Sequence, residues 1–335
     1  MRILVTGGAG YVGSVTVERL VEAGHAVVVV DDLSTGHRAS VSPEATYADL
    51  RYGDVHAMAR LLTDHAIDAV LHCAAKSVVP ESMADPALYY HENVVGGIAL
   101  LDAMRSADVR RLVLSSTAAV YGMPESSPIP EGAPLRPINA YGATKAALEG
   151  AIESYGAAYG LRSVRLRYFN VAGASERNGE AHDPESHLIP LVLAAAEGGR
   201  PVTLFGDDYP TRDGTCVRDY IHVLDLADAH LAALVATDPA DPRTGPPDAS
   251  APSVLNLGTS DGYSVREVLD AAARVVGREI PHRMGPRRGG DPAVLIADAG
   301  RAGEVLGWHA GRTDLDEVIG SAWEWRRRHP EGYAA

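Results

Sequence analysis

The chain has 335 residues, 46% of them apolar, which is enough to bury a sizeable core in one or two domains and too apolar for a disordered or fibrous protein. Its 30 basic residues against 44 acidic ones leave a formal charge of −14 with no basic run longer than Arg326-Arg327-Arg328, a balance that repels a phosphate backbone and excludes nucleic acid as an expected partner. No apolar run approaches the ~20 residues of a membrane span, and the start MRILVTGG carries no signal-peptide pattern, so no membrane is expected and a cytoplasmic location is.

In chain order, apolar strand-like runs alternate with segments of helical period. Arg2–Thr6 reads as a strand, 11–23 as a helix, 26–30 as a strand, the stretch from about His56 as a helix, and 69–73 as a strand. A long helical stretch over 86–106 follows, then a strand over 111–115, a helix over 141–159 and a strand over 163–168. Strands alternating with helices of this length imply βαβ crossovers, hence an α/β fold with a doubly wound, mostly parallel, Rossmann-like sheet covered on both faces. Beyond about Gly173 the rhythm loosens into short elements, among them SVLNLG, with helices at Val265–Val276 and Leu315–Arg328 and a capping box expected from Thr313 and Asp316. Residues 237–253 hold five prolines and read as a surface loop. The expected division is a dinucleotide-binding domain over 1–175, with returning segments around 215–240, and a smaller α/β domain over 176–335. Cys73 and Cys216 stand far apart outside any CxxC spacing, so neither a disulfide framework nor a zinc site is supported, and no metal is expected.

Gly7-Gly8-Ala9-Gly10-Tyr11-Val12-Gly13 follows the first strand directly and opens the first helix. Glycines at 7, 10 and 13 permit a tight turn, close approach of a pyrophosphate and close helix–strand packing, and the helix N-terminus offers its N–H groups to phosphates. The plain alternative is an ordinary βα turn. Asp31-Asp32 at the end of the second strand raises the odds, because a carboxylate there accepts from ribose hydroxyls, and no Arg follows at once to receive a 2′-phosphate, so NAD is expected rather than NADP. Asp54 reads equally as an adenine-facing residue or a solvated turn aspartate.

Tyr141-Gly-Ala-Thr-Lys145 begins a helix, and Ser115-Ser116-Thr117 ends the strand before it. Residues four apart share a helix face, which places an ammonium beside a phenol and favours the anion. Lys76 and Lys145 are the only lysines among the 30 basic residues, so Lys145 calls for a chemical explanation where an Arg would have served as a plain surface charge.

Together these motifs, with SSTAAVYG, RLRYFNVAGA, LFGDDYPTRDGTCVRDYIHVLDLADAH and AWEWRRRHPEGY, resemble the UDP-glucose 4-epimerase family of extended short-chain dehydrogenases/reductases from end to end. The resemblance implies interconversion of UDP-glucose and UDP-galactose on a tightly held NAD, with Thr117, Tyr141 and Lys145 as the catalytic trio. It implies cofactor contacts at Gly7, Gly10, Tyr11, Val12 and Gly13, at Asp31, Asp32 and Ser34, and at Asp54, Val55 and Ala74. Asn93, Ser115, Tyr141, Lys145 and Tyr168 complete that set. Substrate contacts are implied at Thr117, Phe169, Asn170, Leu188, Thr203 and Phe205, and at Arg218, Tyr220, Arg288, Asp291 and Leu295, and the family implies a homodimer through 86–106 and 141–159. Arg218 and Arg288 are expected to fork onto the diphosphate, Phe205 to stack on uracil and Asp291 to accept from ribose hydroxyls. The bland alternatives are a solvated Arg287-Arg288 loop and a core Phe205. Three positions depart from the family pattern: Lys76 stands one residue before the usual lysine position, held here by Ser77; Glu92 replaces a common amide; and Leu295 stands where Tyr or Cys is common. Ala118-Ala119 after Thr117 supply no carboxyl group for a dehydratase, the intact Tyr/Lys pair argues against a non-catalytic sensor, and a 4-epimerase of UDP-N-acetylglucosamine or UDP-glucuronate is the open alternative.

Overall fold

The computed structural model describes residues 1–240 and 254–333. In its first part lie β1 (Arg2–Thr6), α1 (Tyr11–Glu22), β2 (Ala26–Asp31), β3 (Thr46–Asp49), α2 (Val55–Asp64), β4 (Ala69–His72), α3 (Val79–Ala84), α4 (Pro86–Tyr89), α5 (Gly96–Ser106), β5 (Arg111–Thr117), α6 (Ala140–Tyr159) and β6 (Arg162–Tyr168). There follow β7 (Asn170–Ala172), α7 (Leu188–Ala196), β8 (Val202–Phe205), β9 (Val217–Arg218), β10 (Tyr220–His222), α8 (Val223–Ala236) and β11 (Val254–Leu257). The last are β12 (Tyr263–Ser264), α9 (Val265–Val276), β13 (His282–Gly285), β14 (Val294–Leu295), α10 (Gly300–Leu306) and α11 (Leu315–Arg328).

Seven strands form one parallel sheet in the order β11-β6-β5-β4-β1-β2-β3. Near-continuous apolar runs such as AVVVV suit strands buried on both faces, and alternate residues go to opposite layers. Ile3, Val5, Val29 and Leu71 pack with Val17 and Leu20 of α1 and Leu226 and Ala229 of α8. Leu4, Val28, Val70 and Leu112 pack with Met58 and Leu62 of α2, Leu100 of α5 and Leu148 and Ile152 of α6. A second core joins Ile189, Val192 and Leu193 of α7 to Leu204 of β8, Val268 of α9 and Val318 and Ile319 of α11. The SVLNLG segment, read as a short element of the second region, contributes β11, which pairs with β6 at one margin of the large sheet.

Two local expectations are corrected. The capping box expected from Thr313 and Asp316 is absent: Asp314 caps α11 by accepting from Asp316 N (2.9 Å), and its carboxylate, adjoining the first helical residue, already satisfies a terminal N–H. The box forms instead at Ser264 and Glu267 of α9. The helical stretch over 86–106 is also interrupted by a π-helical segment, Tyr90–Val95. Tyr52 Oη donates to the Glu92 carbonyl (2.5 Å), and a side chain inserted on a helix carbonyl is a known cause of such a break. Of the loop expected over 237–253, residues 241–253 lie outside the described residues.

Candidate functional site

A cavity of about 1210 Å³ opens at the carboxyl ends of the parallel strands, where ligands enter open α/β sheets. Its wall on the sheet side begins with the turn between β1 and α1. Gly7 has a positive φ of 70°, and a Cβ on Gly13 would lie 2.0 Å from the Gly7 carbonyl oxygen, so any larger residue there would push the turn apart. Gly10 is the N-cap of α1 and no side chain caps the helix, which leaves its terminal N–H groups for an anion. Gly7, Gly10, Tyr11, Val12 and Gly13 all line the cavity.

Asp31, Asp32 and Ser34 line it at the end of β2. Asp31 is buried, with Oδ2 accepting from Ala9 N (3.0 Å) and Oδ1 from Leu33 N (2.9 Å). Burial raises its pKa and those two N–H groups oppose the rise, so the carboxylate is fixed in place with lone pairs left to accept hydroxyls. Arg51 stands 3.8 Å from Asp32 and pairs with Glu92. Glu92, unexplained in the sequence, therefore engages the guanidinium of Arg51 beside Asp32.

Thr117 ends β5, Tyr141 is the second residue of α6 and Lys145 lies one turn on; all three line the cavity. Asn139 sets the start of α6 by accepting from Gly142 N (2.8 Å). Lys145 is buried, and its Nζ donates to the Ser115 carbonyl (2.9 Å), which pins the ammonium. Burial pushes Tyr141 up to about 12, with a hydrogen bond from Thr117 pulling the other way. Burial lowers Lys145 to about 8, against the opposing pull of Cys73 and Glu149. Desolvation of Tyr141 thus outweighs the hydrogen bond from Thr117.

The opposite wall comes from the second core. Phe169, Asn170, Leu188, Thr203, Phe205, Arg218, Tyr220, Arg288, Asp291 and Leu295 all line the cavity. Arg288 Nε donates to Asp291 Oδ2 (2.9 Å), and Arg218 Nη2 approaches Asp291 Oδ1 at 3.4 Å. One carboxylate therefore holds two guanidinium groups beside each other. Arg288 also lies 4.7 Å over the Phe205 ring, which is 38% exposed and so is not the core residue of the bland alternative. Leu295 packs beside Phe169.

Ala74, Tyr168 and Lys76 line the cavity as well. Asp54, Val55, Asn93 and Ser115 do not. Asp54 caps α2 by accepting from Ala57 N with Oδ1 (3.0 Å), and Val55 packs on the core under α2 and α5. Asn93 brackets Lys76, accepting from its N–H (2.8 Å) and donating to its carbonyl (2.9 Å). Ser115 presents its carbonyl to Lys145 while its Oγ bonds His230 Nε2 (2.8 Å). Both reach the cavity through the residues they hold. Glu180, His182 and His187 also line it, unflagged in the sequence although GEAHDPESH sets five His, Asp or Glu residues within eight positions. Burial alone would raise Glu180, yet His187 and His182 hold it down at about 2; burial would lower His182, yet Glu180 and Glu185 push it up to about 10.

The sequence profile of the NAD dependent epimerase/dehydratase family matches residues 3–247. The UDP-glucose 4-epimerase of Streptomyces lividans is 53% identical over 336 residues, covering 99% of this chain and 98% of the relative. The chain belongs to the UDP-glucose 4-epimerases of this family. Its structure resembles that of the UDP-glucose 4-epimerase of Brucella ovis in complex with NAD, 43% identical with a TM-score of 0.92 over 97% of this chain and 98% of the other. It also resembles the Bifidobacterium longum UDP-glucose 4-epimerase in complex with NAD⁺ and UDP, 36% identical with a TM-score of 0.91 over 99% and 100%. The UDP-Glc/GlcNAc 4-epimerase of Campylobacter jejuni is 35% identical, with a TM-score of 0.84 over 98% and 99%. Among the described residues no helix is long and apolar enough to cross a membrane.

Proposed function

We propose that this chain interconverts UDP-glucose and UDP-galactose by transient oxidation at the sugar C4 on a resident NAD. The observation that carries the reading is that one cavity holds both an anion-ready glycine turn and, facing it, the Thr117–Tyr141–Lys145 group and the Arg218–Asp291–Arg288 clamp. The turn and α1 terminus fit a pyrophosphate because a Cβ would fill the cradle, and Asp31 fits a ribose diol. When bound, NAD supplies the hydride acceptor and donor.

The chain's own residues manage the protons and the pose. Tyr141 Oη takes the proton of the sugar 4-OH as C4 is oxidised, and returns one when C4 is reduced. Thr117 orients that hydroxyl, and Lys145, fixed on the Ser115 carbonyl, faces the same end of the cavity. Arg218 and Arg288 take the diphosphate as charge-assisted, forked contacts. The 4-keto sugar then swings about its diphosphate link and presents its other face, which requires few strong contacts to the hexose itself. We further place the enzyme in the cytoplasm as a homodimer formed through the π segment, α5 and α6, where Tyr90, Val95 and Ile98 are exposed. Light scattering at micromolar concentration is expected to give twice the chain mass; a monomer overturns that pairing.

The assay that tests the activity uses freshly purified protein and a panel of UDP- and TDP-hexoses. One adenine dinucleotide per chain is expected on denaturation, and UDP-galactose is expected to turn over fastest. Leu295, shorter than the Tyr common in the family and set in the pocket wall, favours a second substrate, UDP-N-acetylglucosamine. It is expected at about ten- to thirtyfold lower kcat/KM, the scale of steric discrimination in an apolar pocket. Absence of dinucleotide, or preference for a UDP-uronate, overturns the reading.

A further inference from the structure

The segment leading into α7 carries four side chains that the proposed chemistry leaves unused: Glu180, His182, Glu185 and His187. One donor atom from each lies within 4.8 Å of all the others. His182 Nδ1 stands 3.1 Å from Glu180 Oε1 and 3.7 Å from Glu185 Oε2. His187 Nδ1 stands 3.6 Å from Glu185 Oε1 and directly against Glu180 Oε1. Four donors bound tetrahedrally at ~2.0–2.1 Å would be separated by about 3.3–3.4 Å, and the observed spacings fall on both sides of that edge. Two imidazoles thus turn the same ring nitrogen toward the same pair of carboxylates.

Two further observations point to a ligand. His182 Nδ1 is itself buried and makes no well-formed hydrogen bond, so its lone pair or proton is directed into the cluster without a properly aligned partner. The Glu180 side chain is only 7% exposed and has both imidazoles against its Oε1, so its charge is directed into the cluster rather than to solvent. Glu185 is held in position by the backbone, its Oε1 accepting from Ser186 N (2.7 Å) and His187 N (2.8 Å), the kind of outer support that orients metal ligands.

We propose that Glu180, His182, Glu185 and His187 bind one divalent transition-metal cation of the zinc class. Two nitrogens and two carboxylate oxygens suit Zn²⁺ or Co²⁺, whereas Mg²⁺ and Ca²⁺ favour all-oxygen shells. Four protein donors close a tetrahedron, so the ion is structural. It clasps residues 180–187 at the rim of the cavity, next to Leu188, while the Ala181 carbonyl accepts from His37 Nε2 (2.8 Å) across the rim. The expectation of no metal rested on the cysteines, and this site uses none of them.

The test takes the full, tag-free chain, stripped with chelator and then loaded with Zn²⁺ or Co²⁺. One equivalent is expected to survive desalting, with the strong visible absorption of tetrahedral Co²⁺. Zn²⁺ at about a hundred times its Kd is expected to raise the melting temperature by about 4 °C. His182→Gln and Glu185→Gln are each expected to weaken retention at least tenfold; Glu185→Gln keeps an acceptor for the two backbone N–H groups and so preserves the loop, with circular dichroism verifying the fold. Substoichiometric retention, a weak octahedral-type spectrum, or equal retention by folded Glu185→Gln protein overturns the site and leaves an ion-pair cluster. None of these readouts depends on epimerase activity.

Discussion

Tyr141→Phe is expected to lower turnover by about 10²–10⁴, the contribution typical of a positioned acid–base group, with UDP affinity changed by no more than a few fold. The ring stays, so its packing at the start of α6 stays; only Oη is lost. That atom sits in a buried environment that raises the phenol to about 12, with Thr117 opposing, so an anionic Tyr141 at neutral pH requires positive charge brought close to it. Lys145 is pinned nearby on the Ser115 carbonyl, and the cationic nicotinamide of NAD⁺ is the other source of positive charge. Steady-state rates and UDP titration on the same preparation check the result: a variant keeping more than a tenth of the wild-type rate would remove Tyr141 from this role.

Glu149→Ala is expected to destabilise the fold by about 3–5 kcal/mol, the cost of leaving a buried charge without its counter-ion. Arg167 and Glu149 are 5% and 3% exposed, and the arginine donates from Nη2 to Glu149 Oε2 (2.5 Å) and from Nε to Oε1 (3.0 Å). Ser116 Oγ donates to the same carboxylate (2.5 Å). Truncation leaves Arg167 with only the Tyr121 hydroxyl (3.0 Å) and the Glu131 carbonyl (3.3 Å). Denaturant unfolding measures the loss. A paired Glu149→Leu, Arg167→Met replacement is expected to recover most of it, because neither charge then remains buried; a double variant as unstable as the single one would assign the loss to packing. Since Ser116 adjoins Thr117 and Glu149 lies one turn beyond Lys145, the same ion pair braces the strand and helix that carry the proposed chemistry.

The strands and helices of the first half were legible because their apolar periods are long and uninterrupted, as in AVVVV and in the helix from Tyr11. The glycine turn and the Tyr141–Lys145 spacing were legible because each is local, and sequence-local chemistry survives folding unchanged. What was not legible depends on partners far away in the chain. Glu92 reads as an oddity until Arg51 is beside it, and Asp291 reads as a single acceptor until Arg218 arrives from 73 residues away. Asn93 and Ser115 were placed on the cofactor by resemblance, and the fold puts them one layer behind, holding Lys76 and Lys145. The Thr313 capping box failed for a smaller reason: two competing caps stood side by side, and the helix begins at Leu315, directly after Asp314, which takes the bond.

The large sheet is sewn shut late. Its strand β6 borders β11, whose residues 254–257 come nearly a hundred positions after β6 ends, and the layer over β1 is finished by α8 and by Leu306 and Trp308. A chain emerging from the ribosome through residue 175 therefore carries an open strand edge at β6 and an α1 not yet covered by α8, a surface prone to pair with other chains. Completion waits for most of the polypeptide, so a fragment ending at residue 175 is expected to aggregate.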